Sequence, residues 1–127
     1  MIIRDFRDCH EFTAGDGSAL REILHPDRGP FPLGYSLARA VVKPGRATRP
    51  HRLKSSEVYY ILEGRGIMHI ERETAEVTPG QVVYIPALHT QHIENAGRGD
   101  LVFLCIVDPA WKPEDEEVFP EKPDGTR

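Results

Sequence analysis

The stretch that decides the fold runs from Gly45 to Gly64 and reads GRATRPHRLKSSEVYYILEG. It places His51 and Glu57 between the two glycines, with Leu53 two residues after the histidine. A histidine and a glutamate ahead of a dense apolar run suggest a metal site, because imidazole and carboxylate are common metal ligands. The leucine between them indicates either a site that lost a ligand or one that never needed it.

Short apolar segments bounded by turn residues surround this stretch, and 11 glycines with 11 prolines punctuate the chain. The Gly64-Arg65-Gly66 sequence predicts a tight hairpin between two of the segments. No segment has a sustained helical period, so we predict an all-β fold of roughly six to ten strands with very little helix. The segments that read as strands are 19–25, 33–42, 57–64, 66–73, 75–80, 81–86, 89–95 and 101–107.

Length and charge narrow the class of protein. The chain has 127 residues, enough for one domain, and a net charge of −4 with scattered basic residues. We therefore expect neither nucleic acid nor membrane as a partner. Charges near the N-terminus argue against a signal peptide and predict a cytoplasmic location. Cys9 and Cys105 form no CxxC pair, which favours reduced, structural thiols.

The C-terminal part of the sequence differs in composition from the rest. We predict a single barrel domain over residues 1–111, followed by a charged, proline-rich tail over residues 112–127. Two interpretations of this tail remain: a solvated end, or a segment anchored on a neighbouring surface by Val118 and Phe119. The first is favoured by the charge of the segment.

The spacing of seven residues resembles the cupin family. The resemblance covers roughly residues 18–110 and implies a small antiparallel jelly-roll barrel, in agreement with the strand pattern. The first cupin motif is G-x5-H-x-H-x3-E-x6-G, the second is G-x5-P-x-G-x2-H-x3-N, and 15 residues separate them here. The matching residues are Gly45, His51, Glu57 and Gly64 in the first motif and Gly80, Pro86 and Asn95 in the second.

The departures from the family pattern lie at functional positions. Cupins that bind metal usually present three histidines and one glutamate, whereas here Leu53 replaces the second histidine and Gln91 the third. Leu88 replaces a glycine of the second motif. The resemblance therefore implies a reduced metal set of His51, Glu57 and Gln91. These donors suit a divalent ion such as Mn²⁺, Fe²⁺, Ni²⁺ or Zn²⁺.

Strand parity adds the wall of a pocket, because residues two apart on a strand share a face. His51, Glu57 and Gln91 each bring neighbours of the same parity to the interior, while His92 and Glu94 face outward. The predicted pocket residues are Leu53, Tyr59, Ile93 and Asn95.

Two alternatives to this metal set remain open. A one-residue β-bulge would turn His92 inward, which makes His89 and His92 alternative ligands. Otherwise the buried histidine and glutamate simply hydrogen-bond each other, and Gln91 satisfies the polar atoms that remain.

Two classes of function follow. The first is a metal-binding enzyme that acts on a small polar molecule, such as a sugar derivative or an oxo acid, by isomerase or lyase chemistry in which the metal serves as a Lewis acid. The second is a non-catalytic cupin that binds or senses a small ligand in a metal-free site. Strands that are apolar on both faces, with Tyr60 outward, also predict a homodimer.

Overall fold

Two antiparallel sheets face each other across one core in the computed structural model, which describes residues 1–120. The helical elements of this part of the chain are two three-residue 3₁₀ turns, Phe6–Asp8 and Pro113–Asp115. In chain order the strands are β1 (Glu11–Thr13), β2 (Ala19–Leu24), β3 (Ser36–Val42), β4 (His51–Leu53), β5 (Ser56–Glu63), β6 (Gly66–Ile70), β7 (Glu73–Val77), β8 (Val82–Ile85), β9 (Gln91–Asn95), β10 (Leu101–Asp108) and β11 (Glu116–Val118).

The strand order is that of a jelly-roll barrel. One sheet runs β1-β2-β3-β10-β5-β8 and the other runs β11-β4-β9-β6-β7. The structure confirms the all-β prediction. The described residues contain eleven strands, more than expected, because three strands of only three residues each, β1, β4 and β11, were not recognisable as separate elements. No helix within residues 1–120 is long and apolar enough to cross a membrane.

Alternate residues of the central strands form the core. On β5, Tyr59 and Ile61 point inward and are at most 2% exposed, whereas Tyr60 between them is 41% exposed. Burial of such side chains is the main favourable term in folding a domain of this size. The other members of the core cluster are Ala40, Val42, Met68, Val77, Ile85, Ile93, Leu101, Phe103 and Cys105.

The prediction of a hairpin at Gly64-Arg65-Gly66 is wrong. β5 belongs to the six-stranded sheet and β6 to the five-stranded sheet, so the turn carries the chain from one sheet to the other. Gly64 is needed there because its φ is +85° and a Cβ would lie 2.5 Å from the Asp100 carbonyl oxygen. The hairpin in this region joins β6 to β7 through Glu71 and Arg72.

Part of the segment after residue 111, the strand Glu116–Val118, belongs to the second sheet. β11 pairs with β4, with Val118 opposite His51 and Glu116 opposite Leu53. The backbone N–H of Phe119 also donates to the Pro50 carbonyl at 2.8 Å. The expectation of a solvated end therefore does not describe residues 116–119. Residues 121–127 of the predicted tail lie outside the described part of the chain.

The register of β9 decides which of its side chains enter the barrel. β9 pairs with β6 from Asn95 opposite Gly66 to Gln91 opposite Ile70, without a shift. Gln91 and Asn95 are buried, and His92 lies on the outer face. The bulge that would bring His92 inward is absent from this pairing.

Both cysteines are buried and unpaired. Cys9 lies near the N-terminus, and Cys105 lies on β10 within the core cluster. The prediction of reduced, structural thiols agrees with this placement.

Candidate functional site

A cavity of about 360 Å³ lies between the six-stranded sheet and the strands β4 and β11 of the other sheet. Strands of both sheets contribute to its wall, together with the loop between β1 and β2. Its apolar lining includes Phe12, Leu20, Leu53, Phe103, Val107 and Trp111. Its polar lining includes Asp16, Glu22, Arg28, His51, Glu57, Tyr59 and Glu116.

The His51 ring is fixed at the start of β4 by a hydrogen bond to the backbone of Arg49. Its Nδ1 atom lies 2.9 Å from the Arg49 carbonyl oxygen, and its side chain is 3% exposed. Since a carbonyl only accepts, Nδ1 carries the proton. The other ring nitrogen, Nε2, lies 3.9 Å from Asp16 Oδ2. A backbone bond at one nitrogen that leaves the other available is the usual arrangement of a metal-ligating histidine.

Glu57, Gln91 and Tyr59 form a buried hydrogen-bonded chain. Gln91 Nε2 donates to Glu57 Oε1 at 2.8 Å, and the Tyr59 hydroxyl donates to Gln91 Oε1 at 2.9 Å. These two bonds together fix the orientation of the Gln91 amide. Within the described residues no hydrogen bond reaches Glu57 Oε2, so this oxygen is available to a ligand in the cavity.

Burial changes the pKa values of two groups in this hydrogen-bonded chain, the Glu57 carboxyl group and the Tyr59 hydroxyl group. Desolvation raises the pKa of Glu57 from 4.5 to about 7, against the lowering effects of His51 and of the bond from Gln91. Asp16 and Glu116 add smaller raising contributions. Burial likewise raises the pKa of Tyr59 well above its usual value, so its hydroxyl remains a hydrogen-bond donor at neutral pH. Near neutral pH, Glu57 is present in both protonated and ionised forms.

Asp16 and Glu116 were not recognised in the sequence as site residues. Asp16 lies in the β1–β2 loop, where Ser18 donates to its Oδ1 through both the backbone N–H and the hydroxyl. Glu116 begins β11, and desolvation raises its pKa. Both carboxyl groups lie close enough to His51 or Glu57 to affect ionisation. Their positions depend on a loop and on a late strand pairing, neither of which has a sequence motif.

The other predicted site residues lie in different places. Leu53 and Tyr59 line the cavity, as parity indicated. Ile93 is fully buried in the core cluster. Asn95 donates to the Val42 and Gly99 carbonyls and accepts from Gly97, so it fastens the loop after β9. His89 lies in the loop before β9, with Nδ1 3.1 Å from the Ala87 carbonyl.

The predicted metal set fits a metal only in part. His51 Nε2 and Glu57 Oε2 are available as donors. The carbonyl oxygen of Gln91 instead accepts the Tyr59 hydroxyl, and its amide nitrogen cannot ligate. The bonds of Gln91 agree with the alternative in which this residue satisfies buried polar atoms. The other half of that alternative is wrong, because within the described residues His51 bonds the Arg49 carbonyl and not Glu57. The metal role of His51, Glu57 and Gln91 stays a prediction.

A second cluster of potential ligands lies on the outer face of the five-stranded sheet. One ligand atom from each of His69, His92 and Glu94 lies within 4.8 Å of the others, and all three side chains are half-buried. These side chains could hold a divalent metal ion. The cluster is separate from the cavity, because His92 and Glu94 face away from the buried Gln91 and Ile93.

The charges around the cavity are predominantly acidic. Four of its lining residues are Asp or Glu, and its one lining cation, Arg28, forms a 2.9 Å ion pair with Glu22. Arg39 lies outside, with its guanidinium 4.1 Å from the centre of the Phe6 ring. An anionic ligand would therefore meet three carboxyl groups and one imidazole.

Comparison with known proteins identifies the family. The family model for the cupin domain matches residues 38–107. An uncharacterized protein of Methanocaldococcus jannaschii is 43% identical over 122 residues, which cover 94% of this chain and 95% of that protein. An oxalate-binding protein of Thermotoga maritima is 32% identical over 71 residues, 55% of this chain and 59% of its own length.

Solved structures agree on the fold. The crystal structure of a predicted oxalate decarboxylase from Thermotoga maritima superposes with a TM-score of 0.74 at 22% identity, over 85% of this chain and 99% of that chain. This similarity concerns the fold, and the matched family model, which covers more than half of the chain, shows that the chain belongs to the cupin family.

Proposed function

We propose that this cupin binds a small polar molecule in the barrel cavity and transfers a proton to or from it through Glu57, as an isomerase or a lyase does. The observation that supports the proposal is a buried carboxyl group whose pKa is about 7 and whose Oε2 is left for a ligand. A general acid or base works best when its pKa lies near the working pH.

The step itself is a proton transfer at a carbon atom next to a carbonyl group. Ionised Glu57 takes the proton on Oε2, and the electron pair of the C–H bond moves into the enolate of the ligand. Returning the proton to the former carbonyl carbon, while the proton of the adjacent hydroxyl group moves to the enolate oxygen, completes an isomerisation of a hydroxy carbonyl compound. Alternatively, the enolate electrons expel a leaving group from the β-carbon, and Glu57 keeps the proton, which completes an elimination. Gln91 keeps the carboxyl group oriented by its bond to Oε1.

The charge of the cavity favours a neutral ligand. Asp16, Glu57 and Glu116 surround His51, and Arg28 is already paired with Glu22. A sugar derivative with hydroxyl groups suits these acceptors, whereas a dicarboxylate would need a cation beside it. The oxalate in the names of the relatives belongs to those proteins. We expect oxalate to bind this chain only when a divalent metal is added.

Exchange of carbon-bound hydrogen tests the proposal directly. A panel of reducing sugars, sugar derivatives and 2-oxo acids is incubated with the protein in D₂O, and loss of the α-proton is followed by NMR. We expect exchange with at least one compound, and its disappearance in Glu57→Gln, which keeps the bond from Gln91. Exchange that persists in Glu57→Gln would refute the role of Glu57. Binding without exchange would support the non-catalytic alternative.

A metal-assisted version is the second candidate, supported by the backbone bond that leaves Nε2 of His51 available. His51 and Glu57 would hold the ion, with Gln91 if its amide gave up the bond from Tyr59. A divalent ion there would supply a Lewis acid for a carbonyl oxygen. The three predicted ligands and the identity of the metal are proposals.

Titration of Mn²⁺, Ni²⁺ and Zn²⁺ against three proteins tests this candidate. Leu53→His adds a neutral ligand beside His51 and should tighten interior binding, whereas His51→Ala should remove it. A Leu53→His protein that is less stable and gains no metal would contradict the candidate, because the new ring would then only crowd the packed interior.

The homodimer is also a proposal. The outer faces of β5 and β8 expose Tyr60, Leu62, Val82 and Tyr84 by 38–62%. Tyr60 is paired with Val82 across the two strands, so these side chains form one apolar patch. We expect light scattering to give twice the monomer mass, and Val82→Glu to reduce it. A monomer at micromolar concentration would refute the dimer.

A further inference from the structure

The outer face of the five-stranded sheet brings two histidines into contact across neighbouring strands. His69 on β6 and His92 on β9 are register partners. Their rings are stacked with centroids 4.1 Å apart and planes only 7° from parallel. Directly opposed residues on one face of an antiparallel pair are the closest side-chain neighbours in a sheet. The pairing, not proximity in sequence, creates this contact.

Glu94 completes the cluster from the same face. It follows His92 by two residues on β9, and its Oε2 lies 3.1 Å from His69 Nε2. The Glu94 side chain is 44% exposed and that of His69 is 26% exposed, so an ion from solvent can reach both. Ligand atoms of all three residues lie within 4.8 Å of one another. Small side-chain rotations would place them on one ion at bond lengths of about 2.0–2.2 Å.

We propose that His69, His92 and Glu94 bind a divalent transition-metal ion on the outer surface of the barrel, independently of the cavity. Two imidazoles and one carboxylate form a donor set that suits Zn²⁺, Co²⁺, Ni²⁺ and Cu²⁺, whereas Mg²⁺ and Ca²⁺ require more oxygen ligands. Three protein ligands leave at least one position for water. The ion would link β6 to β9.

Thr74 holds the His69 ring in a position that suits this role. Its hydroxyl lies 3.2 Å from His69 Nδ1, on the side of the ring opposite to Glu94. With the ion on Nε2, the neutral ring carries its proton on Nδ1 and donates it to the Thr74 oxygen. For a neutral ring that starts with its proton on Nε2, this is a change of tautomer without net release of a proton. A second hydrogen bond of this kind orients the ring of a metal-ligating histidine.

Metal titration by calorimetry, after removal of metal with a chelator, tests the site with Zn²⁺, Co²⁺ and Ni²⁺ as probes. We expect saturable binding to the wild type that His69→Ala and His92→Ala each lose. Glu94→Gln should weaken binding, because a neutral amide oxygen is a weaker ligand. Thr74→Val, which removes only the bond to Nδ1, should weaken it about tenfold. A second readout is the NMR shift of the imidazole nitrogens of both histidines on adding Zn²⁺.

Two controls separate this site from other histidines. His89→Ala removes a half-buried histidine outside the cluster and should leave the affinity unchanged. His51→Ala removes the interior candidate ligand, so the outer binding event should persist in it. Absence of binding to the wild type would overturn the proposal, as would undiminished binding in folded His69→Ala and Glu94→Gln proteins. Binding lost only in His51→Ala would also overturn it, by assigning the metal to the cavity.

Discussion

The two faces of β9 carry similar types of polar residue in opposite environments. Gln91 faces inward, is 1% exposed and hydrogen-bonds Glu57 and Tyr59. His92 and Glu94 face outward, half-buried, beside His69. The period of two along a strand places these sets within five residues of each other but on opposite sides of the sheet.

The difference shows how burial decides what a carboxyl group can do. Inside the barrel, loss of solvent raises the pKa of Glu57 to about 7 and makes a proton exchangeable near neutral pH. Outside, the Glu94 side chain is 44% exposed and hydrogen-bonds His69. The interior therefore favours proton transfer, and the outer face favours capture of an ion. Matched substitutions on the two faces test this difference.

The largest difference is expected between Ile93→Ala and His92→Ala. Ile93 is 0% exposed in the core, so its truncation leaves a cavity and should lower the free energy of unfolding by about 3–4 kcal/mol. His92 lies on the outer face, where truncation should change stability by less than about 1 kcal/mol. Urea unfolding of both variants measures the difference. Equal losses would contradict the assignment of the two faces.

The next effect is the pH dependence of stability caused by Glu57. Its pKa is raised in the folded state from 4.5 to about 7, so folding favours the protonated form. The resulting stability is fully present below pH 4.5 and is lost as the pH rises to about 7; a shift of this size corresponds to a loss on the order of 3 kcal/mol. Glu57→Gln should remove this dependence and be more stable than the wild type at pH 8.

Urea unfolding at pH 4 and pH 8 measures this prediction by the difference between the two proteins. Glu94→Gln on the outer face is the matched control and should keep the pH dependence of the wild type. If Glu57→Gln lost as much stability between pH 4 and pH 8 as the wild type does, Glu57 would not be the group responsible.

A smaller effect is expected from the Tyr59 hydroxyl. Tyr59→Phe removes the donor to Gln91 Oε1 and leaves a buried oxygen unsatisfied, which costs about 1–2 kcal/mol. The neighbouring Tyr60 is 41% exposed on the opposite face, so Tyr60→Phe should change stability by less than about 0.5 kcal/mol. Thermal unfolding compares the two. A Tyr59→Phe protein as stable as Tyr60→Phe would indicate that the hydrogen bond from Tyr59 to Gln91 contributes nothing to the stability of the fold.

The fold was predictable because motif spacing and strand period reinforce each other. Glycines at fixed intervals and alternating burial placed Glu57, Tyr59 and Gln91 in the interior without reference to any partner strand. The pairing of the strands was harder to predict from the sequence. The glycines at 64 and 66 predict a hairpin as readily as a change of sheet, and the β6–β7 hairpin turns at Glu71 and Arg72, which carry no hairpin signature.

Residues brought in by long-range pairing were missed in the sequence. Glu116 reaches the cavity because β11 pairs with β4, although its charged surroundings favour solvent. The contact of His69 with His92 likewise depends on the β6–β9 register, which a single sequence does not specify. Local pattern thus indicates which face a side chain occupies. Its neighbours from other strands become visible only in the structure.

The smallest predicted effect concerns Leu88, which stands where the second motif has glycine. Its φ is +65°, and its side chain is 56% exposed. Its backbone N–H donates to the Leu53 carbonyl at 2.7 Å, which ties the loop before β9 to the cavity wall. A left-handed conformation costs a non-glycine residue about 1–2 kcal/mol, so glycine would relieve strain here without losing buried area.

Leu88→Gly should therefore stabilise the protein. The gain should be only about 0.5 kcal/mol, because the greater conformational freedom of glycine in the unfolded chain offsets part of the relieved strain. Leu62→Gly is the matched control, because Leu62 is an exposed leucine within β5, where glycine should destabilise by about 1 kcal/mol. Thermal unfolding should thus shift in opposite directions for the two leucines. A loss of stability in Leu88→Gly would mean that the Leu88 side chain contributes more through its contacts than its backbone conformation costs.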